Sequence, residues 1–421
     1  MAPFRKRAII FCVFLAVILW RFAGSGSKSF YFTLKRTQTH TETPASSTKD
    51  GGVVNSSLWT RLNLTETECA TAFPGLFTDI TNNIKNGPFI FAKANPNYQG
   101  LVQGRIIDGN RLSTLSQLHR ALLTSPSHLP NIHFAFVTND VPKNNSWAFA
   151  RPNKSHSGNI WLIPHPAFWA SPLPPLHPLD TILSRISTLE SQTTFSQKLD
   201  KVVWRGTPWF NPLAYPLLRQ HLLKATKGKE WADIDAFDIG AKGEYRNALP
   251  IEQFCGYRYV VYTEGVTYSG RLPYHQACAS VLVMAPVTWV THTGFWLRPI
   301  WAGDLMGGGR EDGGGGEGGE TLVETVEDWR EANTVYVDPK FEMLEDVVMF
   351  LRRNPEVAET LARNLRQSGV GTGFLGPAAE VCYWRALIRG WASVVRTGET
   401  WGDEVGVRYE EWILREVARG K

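Results

Sequence analysis

Apolar and polar positions alternate in blocks along the chain, most clearly in its second half. Short apolar runs, rich in β-branched and aromatic residues, are separated by longer segments in which apolar residues recur at helical spacing. Because short strands that alternate with helices build largely parallel sheets, this pattern predicts an α/β fold. Predicted strands cover residues 89–92, 132–137, 201–204, 257–262, 280–285 and 334–337, and predicted helices cover residues 111–123, 176–193, 214–225, 271–279, 343–353, 355–368 and 378–397.

The strand–helix alternation occurs in two blocks, which predicts two doubly wound domains with a cleft between them. We place an N-terminal domain at residues 58–195 and a C-terminal domain at residues 196–375. The helices of residues 376–421 are expected to pack back on the N-terminal domain. Residues 307–320 are nearly all Gly, Glu and Asp, which cannot bury apolar surface, so we expect a disordered insertion there.

The N-terminus carries a targeting pattern. Arg5-Lys6-Arg7 precedes an uncharged, largely apolar run from Ala8 to Trp20, after which Arg21 can extend its charge to the membrane interface. A cleavable signal peptide and an uncleaved anchor both fit, and we favour a cytosolic tail with a signal-anchor helix over residues 1–24. Residues 25–57 are polar and predict a flexible stem. The expected location is therefore the Golgi or endoplasmic reticulum membrane, with single-pass type II topology and a lumenal remainder.

Charge and aromatic content narrow the range of partners. The net charge of +5 is spread along the chain, and no basic block occurs beyond the N-terminus, so nothing argues for nucleic acid as a partner. Most of the 16 Trp are expected in the core, and a few can line a sugar site. Flat apolar rings suit the C–H faces of pyranose sugars.

The N-glycosylation triplets and the cysteines of the chain are consistent with a location in the lumen. Cys12 lies in the apolar run, and the other four cysteines make an even number, as expected for disulfides, although free buried thiols also fit. These four lack CxxC spacing, which argues against a zinc site. The acceptor asparagines of the four N-glycosylation triplets are Asn55, Asn63, Asn144 and Asn153.

Two predicted strands end in patterns that suit anion binding. The strand at 257–262 runs into Glu264-Gly265-Val266-Thr267-Tyr268-Ser269-Gly270-Arg271 and then a helix. Ligands of open α/β sheets bind at the carboxyl ends of strands, where a glycine admits the backbone and an arginine can pair with phosphate. Arg205-Gly206 ends another strand in a similar way. An ordinary turn with a surface arginine remains the alternative at both places.

Carboxylates offer two further candidates. Asp140 follows a third strand, in Thr138-Asn139-Asp140-Val141-Pro142, and a carboxylate facing a cleft there could be a general base. It could equally be a turn residue before proline. Asp233 and Asp235 have the spacing of a carboxylate pair that binds a metal ion beside a nucleotide-sugar, but such spacing is common.

Taken together, these segments resemble the capsule-associated-protein glycosyltransferase family, which includes fungal xylosyltransferases and animal protein O-glucosyltransferases. The resemblance spans roughly Cys69 to Arg389, and the matching pieces occur in the family's order. The pieces are Leu129-Pro130-Asn131 through Asn139-Asp140-Val141-Pro142, Ile163-Pro164-His165-Pro166-Ala167-Phe168-Trp169, Val203-Trp204-Arg205-Gly206, Cys255-Gly256-Tyr257-Arg258-Tyr259 through Gly265 to Arg271, Val335-Tyr336-Val337, and Cys382-Tyr383-Trp384.

The resemblance implies a GT-B fold of two Rossmann-like domains, with UDP held by the C-terminal one. It implies Asp140 as the catalytic base, disulfides Cys255–Cys278 and Cys69–Cys382, and glucose or xylose as the donor sugar. The implied donor-binding residues are Arg205, Gly206, Gly265, Val266, Thr267, Tyr268, Ser269 and Arg271. Two departures bear on donor and acceptor identity: Val141 replaces an aromatic residue, and Thr207-Pro208-Trp209-Phe210-Asn211 replaces a polar, Arg-containing stretch.

The sequence therefore predicts an inverting glycosyltransferase that moves a sugar from a UDP-sugar to a hydroxyl of a glycan or protein. We expect no cofactor and no metal, because arginines and backbone amides would stabilise the departing UDP. The alternatives are a lumenal carbohydrate-binding protein that kept the fold without turnover, and a metal-dependent transferase that uses Asp233 and Asp235.

Overall fold

Three apolar runs form the centre of a parallel sheet. In the computed structural model, these runs are almost wholly buried. The model describes residues 59–91, 105–138, 140–154, 159–168, 177–238, 245–308, 323–397 and 408–419. Strands covered on both faces are expected to be apolar throughout rather than alternating. The strands are β1 Phe89–Phe91, β2 Ser146–Ala148, β3 Ala150–Pro152, β4 Ile160–Leu162, β5 Leu199–Gly206, β6 Ala232–Ala236, β7 Tyr257–Tyr262, β8 Val281–Met284, β9 Trp289–Thr291, β10 Pro299–Trp301, β11 Thr334–Tyr336 and β12 Val395–Thr397.

The helices flank these strands and supply most of the remaining core. Two of them, α9 and α10, begin with a proline in the first turn, where its missing N–H costs no helical hydrogen bond. The helices are α1 Glu66–Ala72, α2 Thr78–Lys85, α3 Arg105–Leu123, α4 Leu179–Gln192, α5 Leu218–Thr226, α6 Leu272–His275, α7 Ala302–Leu305, α8 Leu344–Arg353, α9 Pro355–Arg366, α10 Pro377–Val394 and α11 Tyr409–Arg419.

The main sheet has six strands in the order β6-β5-β7-β8-β11-β10, and every neighbouring pair is parallel. If the first four strands of this sheet are numbered by their order in the chain, they lie side by side in the order 2-1-3-4. This is the arrangement of flavodoxin-like doubly wound sheets. The order reverses between β5 and β7, so a crevice is expected at the carboxyl ends of these two strands. The α/β prediction is confirmed at this level.

The strands of residues 58–195 form shorter pairings, two of them with strands from later in the chain. β2 pairs with β4 in parallel, β1 with β12 in parallel, and β3 with β9 in antiparallel fashion. The strand predicted at 132–137 is reduced to a bridge between Phe136 and Trp147. Two Rossmann-like domains in a GT-B arrangement therefore stay a prediction.

Helix α10 connects the end of the chain to its beginning. Cys382 of this helix forms a disulfide with Cys69 of α1, and a second disulfide joins Cys255 to Cys278, so both expected pairings are present. The guanidinium of Arg385 donates to the carbonyl oxygens of Leu62 and Leu64. These contacts fix α10 against the first helices.

Residues 54–237 and 247–421 make one compact unit, which contains every contact discussed below. The other unit combines residues 1–53 with 238–246, and its described part has an N–H of Arg246 donating to the carbonyl of Asp238 at 2.9 Å. None of the helices within the described ranges is long and apolar enough to cross a membrane. The predicted anchor, the stem and residues 309–320 of the insertion predicted at 307–320 lie outside the described residues.

The four sequons differ in their surroundings. Asn63 and Asn144 are exposed, and Asn55 lies outside the described residues. Asn153 is buried, its side-chain amide donates to the carbonyl of Val287 at 3.0 Å, and its side-chain oxygen accepts from the N–H of Val323 at 3.2 Å. A glycan on that nitrogen would have to displace these contacts.

Candidate functional site

The carboxyl ends of β5 and β7 bring two of the predicted segments together. β5 ends at Arg205-Gly206, and β7 leads through Thr263 into the 264–271 loop. The indole of Trp204 donates to the hydroxyl of Thr263 at 3.0 Å, which ties the two strand ends. A Cβ on Gly206 would lie 2.5 Å from the Trp204 ring, so glycine is required for this close approach.

The 265–271 loop, which we call the donor loop, is held by its own hydrogen bonds. The N–H of Gly265 donates to the carbonyl of Tyr268 at 3.2 Å, and the hydroxyl of Tyr262 accepts from the N–H of Ser269 at 2.9 Å. Val266 is exposed, whereas the hydroxyl of Thr267 is buried and has no hydrogen-bond partner in the described part of the protein. Buried hydroxyls normally have a partner, so the missing partner of this hydroxyl marks the loop for attention.

Two arginines converge behind this loop. Arg271 donates to the carbonyl oxygen of Arg205. Arg219, near the start of α5, donates to the carbonyl of Glu264 at 3.1 Å and to that of Thr207 at 2.8 Å. The guanidinium carbons of Arg219 and Arg271 lie 5.8 and 6.0 Å from the centre of the Trp204 ring. The crevice therefore holds two cations beside one indole.

No carboxylate forms an ion pair with either arginine among the residues that the structure describes. The carboxylate of Glu264 turns away and accepts from the backbone N–H groups of Thr288 and Trp289 at 3.0 and 2.8 Å. Burial, together with the charge of Arg271, lowers the pKa of Arg219 to about 9, and burial lowers that of Arg271 to about 10. Both remain protonated at neutral pH, so the crevice is electropositive.

Arg205, the other predicted phosphate ligand, is placed differently. Its guanidinium donates to the carbonyl of Asn247 at 3.1 Å, to the backbone carbonyl of Asp233 at 2.7 Å and to the Asp233 carboxylate. The structure thus brings Gly206, Gly265 and Arg271 together and directs the Arg205 side chain toward β6. Its role in donor binding stays a prediction.

The Asp233–Asp235 pair lies on β6, an edge strand. The Asp233 carboxylate accepts from Arg205 and from the hydroxyl of Tyr257, whereas the Asp235 side chain is exposed and 3.9 Å from Arg205. Burial would raise the pKa of Asp233, but these hydrogen bonds outweigh it and the net pKa is lowered. Asp233 is therefore already held by protein donors.

Asp140 lies beyond the Phe136 bridge, in an exposed turn. Neighbouring atoms partly exclude water from its carboxyl group, which raises the pKa of Asp140 and brings it closer to that of an effective base. Burial, and then the negative charge of Asp140, raise the pKa of the Tyr268 hydroxyl. The candidate base therefore acts electrostatically on the donor loop.

A small cavity separates the two sides of this site. Its walls include Phe149 and His165 from the first half of the chain and Tyr268, Ser269 and Gly270 from the donor loop. Nδ1 of His165 accepts from the N–H of Ala167 at 3.1 Å, and its ring packs edge-on against Tyr268 with 5.7 Å between centroids. Burial lowers the pKa of His165 to about 4, so the imidazole is neutral at physiological pH.

Sequence reasoning missed the role of Arg219. It lies on a helix well after β5, and no local motif distinguishes it from the exposed basic residues of α5. The sheet order could have identified this residue. A helix that follows the strand at a switch point directs its first turn to the carboxyl edge of the sheet, and Arg219 lies in the first turn of α5.

In the described part of the chain, the open parallel sheet has two arginines without a carboxylate partner at its switch point, an arrangement typical of the class of α/β proteins that bind phosphorylated ligands. Within that class, residues 98–301, just under half of the chain, match the model of glycosyl transferase family 90. The match contains Asp140, Arg219 and the whole donor loop. It supports the interpretation of this chain as a glycosyltransferase of this family. Comparison with curated proteins found no match.

Proposed function

We propose that this chain is a family 90 glycosyltransferase that transfers the sugar of a UDP-sugar to an acceptor hydroxyl with inversion. The observation that carries the proposal is the pair of cations Arg219 and Arg271, which both lie beside the Trp204 ring and have no carboxylate partner among the described residues. Charges removed from water require compensation, and a diphosphate supplies two negative groups. The unpartnered hydroxyl of Thr267 adds a donor at the same place.

The reaction would be a single displacement. The acceptor oxygen forms a bond to the anomeric carbon as the bond between that carbon and the phosphate oxygen breaks. The acceptor proton passes to the carboxylate of Asp140, and the bonding electron pair leaves with UDP. Arg219, Arg271 and the amides after Gly265 would stabilise the charge that grows on the leaving diphosphate.

The remaining assignments are part of the same proposal. Glucose or xylose is the expected donor sugar, and a glycan or protein provides the hydroxyl. The N-terminal apolar run at residues 8–20 would anchor the chain in a Golgi or endoplasmic reticulum membrane with the site in the lumen.

UDP release from a panel of UDP-sugars tests the proposal, and Asp140→Asn is the decisive variant. The amide is nearly isosteric but cannot accept the proton, and positioned bases contribute roughly 10²–10⁴-fold, so turnover should fall by that factor. UDP affinity by calorimetry should stay near wild type, because Asp140 contacts the acceptor side.

Asp180→Asn, at an exposed position of α4, is the matched control and should leave both values unchanged. Near-normal turnover in Asp140→Asn would place the base elsewhere. A wild-type chain that binds UDP but releases none from any UDP-sugar would favour the non-catalytic binding protein.

A further inference from the structure

Gly270 of the donor loop meets His165 at a distance that leaves no room for a side chain. A Cβ built on Gly270 would lie 2.8 Å from both Cε1 and Nε2 of the imidazole. The backbone at Gly270 has no positive φ, so steric contact with the ring, rather than backbone conformation, selects glycine. The loop therefore rests directly on the ring edge.

The ring itself is fixed on its other side. Because Nδ1 accepts from the N–H of Ala167, the neutral imidazole carries its proton on Nε2. The carbonyl of His165 accepts from the side chain of Gln117 at 3.1 Å, and the Phe149 ring lies 5.7 Å away. Because hydrogen bonds hold both the backbone and the Nδ1 atom of His165, the ring sterically limits how closely the loop can approach.

The contact joins the two halves of the proposed reaction centre. His165 and Phe149 belong to the same half of the chain as Asp140, whereas Gly270 belongs to the loop that ends at Arg271. The position of the loop on the ring therefore determines the distance between the base and the anchored leaving group. Misplacement of reacting groups by about 1 Å can cost about 10²-fold in rate.

We propose that His165 is a positioning residue, whose imidazole edge sets the position of the donor loop relative to Asp140 through a contact that only glycine at position 270 permits. This inference rests on the proposed glycosyltransferase function. It adds a determinant of turnover that lies outside both the base and the phosphate ligands.

A double-mutant cycle on the full chain tests the proposal. Gly270→Ala should push the loop off the ring and lower the turnover of UDP release at least tenfold, with UDP affinity changed less than threefold. Adding His165→Asn should restore turnover to within about threefold of wild type. The shorter asparagine keeps an acceptor for the Ala167 N–H and lacks the two atoms that the new Cβ would meet. Gly256→Ala is the matched control, since a Cβ there meets nothing within 4 Å.

Single replacements of His165 give a second measurement if Gly270→Ala does not fold. His165→Gln places a nitrogen near the former Nε2 and should retain most turnover, whereas His165→Asn should lose it. Wild-type turnover in Gly270→Ala, or a double variant no faster than Gly270→Ala, would overturn the positioning role. If wild-type protein binds UDP but releases none, the proposed function fails, and the contact is then judged by the unfolding midpoint. Gly270→Ala should lower that midpoint and the added His165→Asn should restore it, whereas an unchanged midpoint in Gly270→Ala would overturn the contact.

Discussion

Two clusters of buried arginine in the same unit have opposite surroundings. Around α10, Arg385 donates to three backbone carbonyls and the hydroxyl of Thr124, and Arg120 forms an ion pair with the fully buried Glu380. We call this the α10 cluster. At the switch point, Arg219 and Arg271 have carbonyl partners and each other's charge, but no carboxylate in the described part of the chain.

We interpret the difference as one between arginines that build the fold and arginines that bind an anionic ligand. Removing a charge from water costs several kcal/mol unless an opposite charge and hydrogen bonds replace the lost hydration. In the α10 cluster, Glu380 supplies an opposite charge to Arg120 within the protein. Among the described residues no carboxylate does so at the switch point, and we propose that an anionic ligand supplies the opposite charge there. The variants below test this comparison.

The largest effect is expected from breaking the α10 cluster. Arg120→Met leaves the carboxylate of Glu380 buried without its partner, which typically costs about 3–5 kcal/mol of the free energy of unfolding. Denaturant unfolding should show this loss, and UDP affinity of the folded fraction should be normal. Wild-type stability would show that the pair contributes no more than its hydrophobic replacement.

Arg271→Met should have the converse effect. Charged hydrogen bonds are worth about 1.5–3 kcal/mol, so UDP affinity should fall roughly ten- to a hundredfold. The unfolding midpoint should change little, since the variant also removes repulsion with Arg219. Arg298→Met, at an exposed ion pair with Glu331, is the control. Unchanged UDP affinity in calorimetry would remove Arg271 from the site.

Glu264 provides a smaller, pH-dependent test. Burial raises its pKa to about 7, although Thr288 and Trp289 donate to it. The folded state therefore holds a proton that the unfolded chain releases near pH 4.5, and stability should fall as pH rises from about 4.5 to 7. Denaturation across this range should show the slope in wild type and a weaker slope in Glu264→Gln. Equal slopes would assign the dependence to other groups.

The smallest change is expected from chelation. If Arg219, Arg271 and backbone amides supply the positive field, transfer should persist in excess EDTA. Loss of activity that manganese restores would instead support a metal-dependent transferase using Asp233 and Asp235. Asp235→Asn then offers a direct check, because the Asp235 side chain is exposed.

The sequence was most informative where strands are apolar on both faces. The run at Tyr257–Tyr262 predicted β7, its carboxyl end and the donor loop, because continuous β-forming residues followed by glycine have few other interpretations. The sequence did not predict β6. Its Asp-Ile-Asp pattern is compatible with an edge strand, but only the pairing with β5 defines it as a strand.

The sequence pattern could not predict the direction in which the side chains of the site point. Arg205 precedes Gly206 at the end of β5, and Arg271 follows Gly270 in the loop after β7, yet one guanidinium faces β6 and the other the crevice. That choice depends on tertiary partners, namely Asp233 and Asn247 for Arg205. Arg219 and the contact between His165 and Gly270 likewise join residues that are distant in the chain.

The disulfide between Cys69 and Cys382 has a consequence for the order of events during synthesis. Its two cysteines are 313 residues apart, whereas Cys255 and Cys278 are 23 apart. At about 5–20 residues per second, the ribosome needs roughly 15–60 s to make the longer interval, and both other cysteines emerge within it. Cys69 must therefore wait through the synthesis of nearly the whole folded region without capturing Cys255 or Cys278. Early closure of the short loop removes these competitors, so the local bond protects the partner choice of the long-range one.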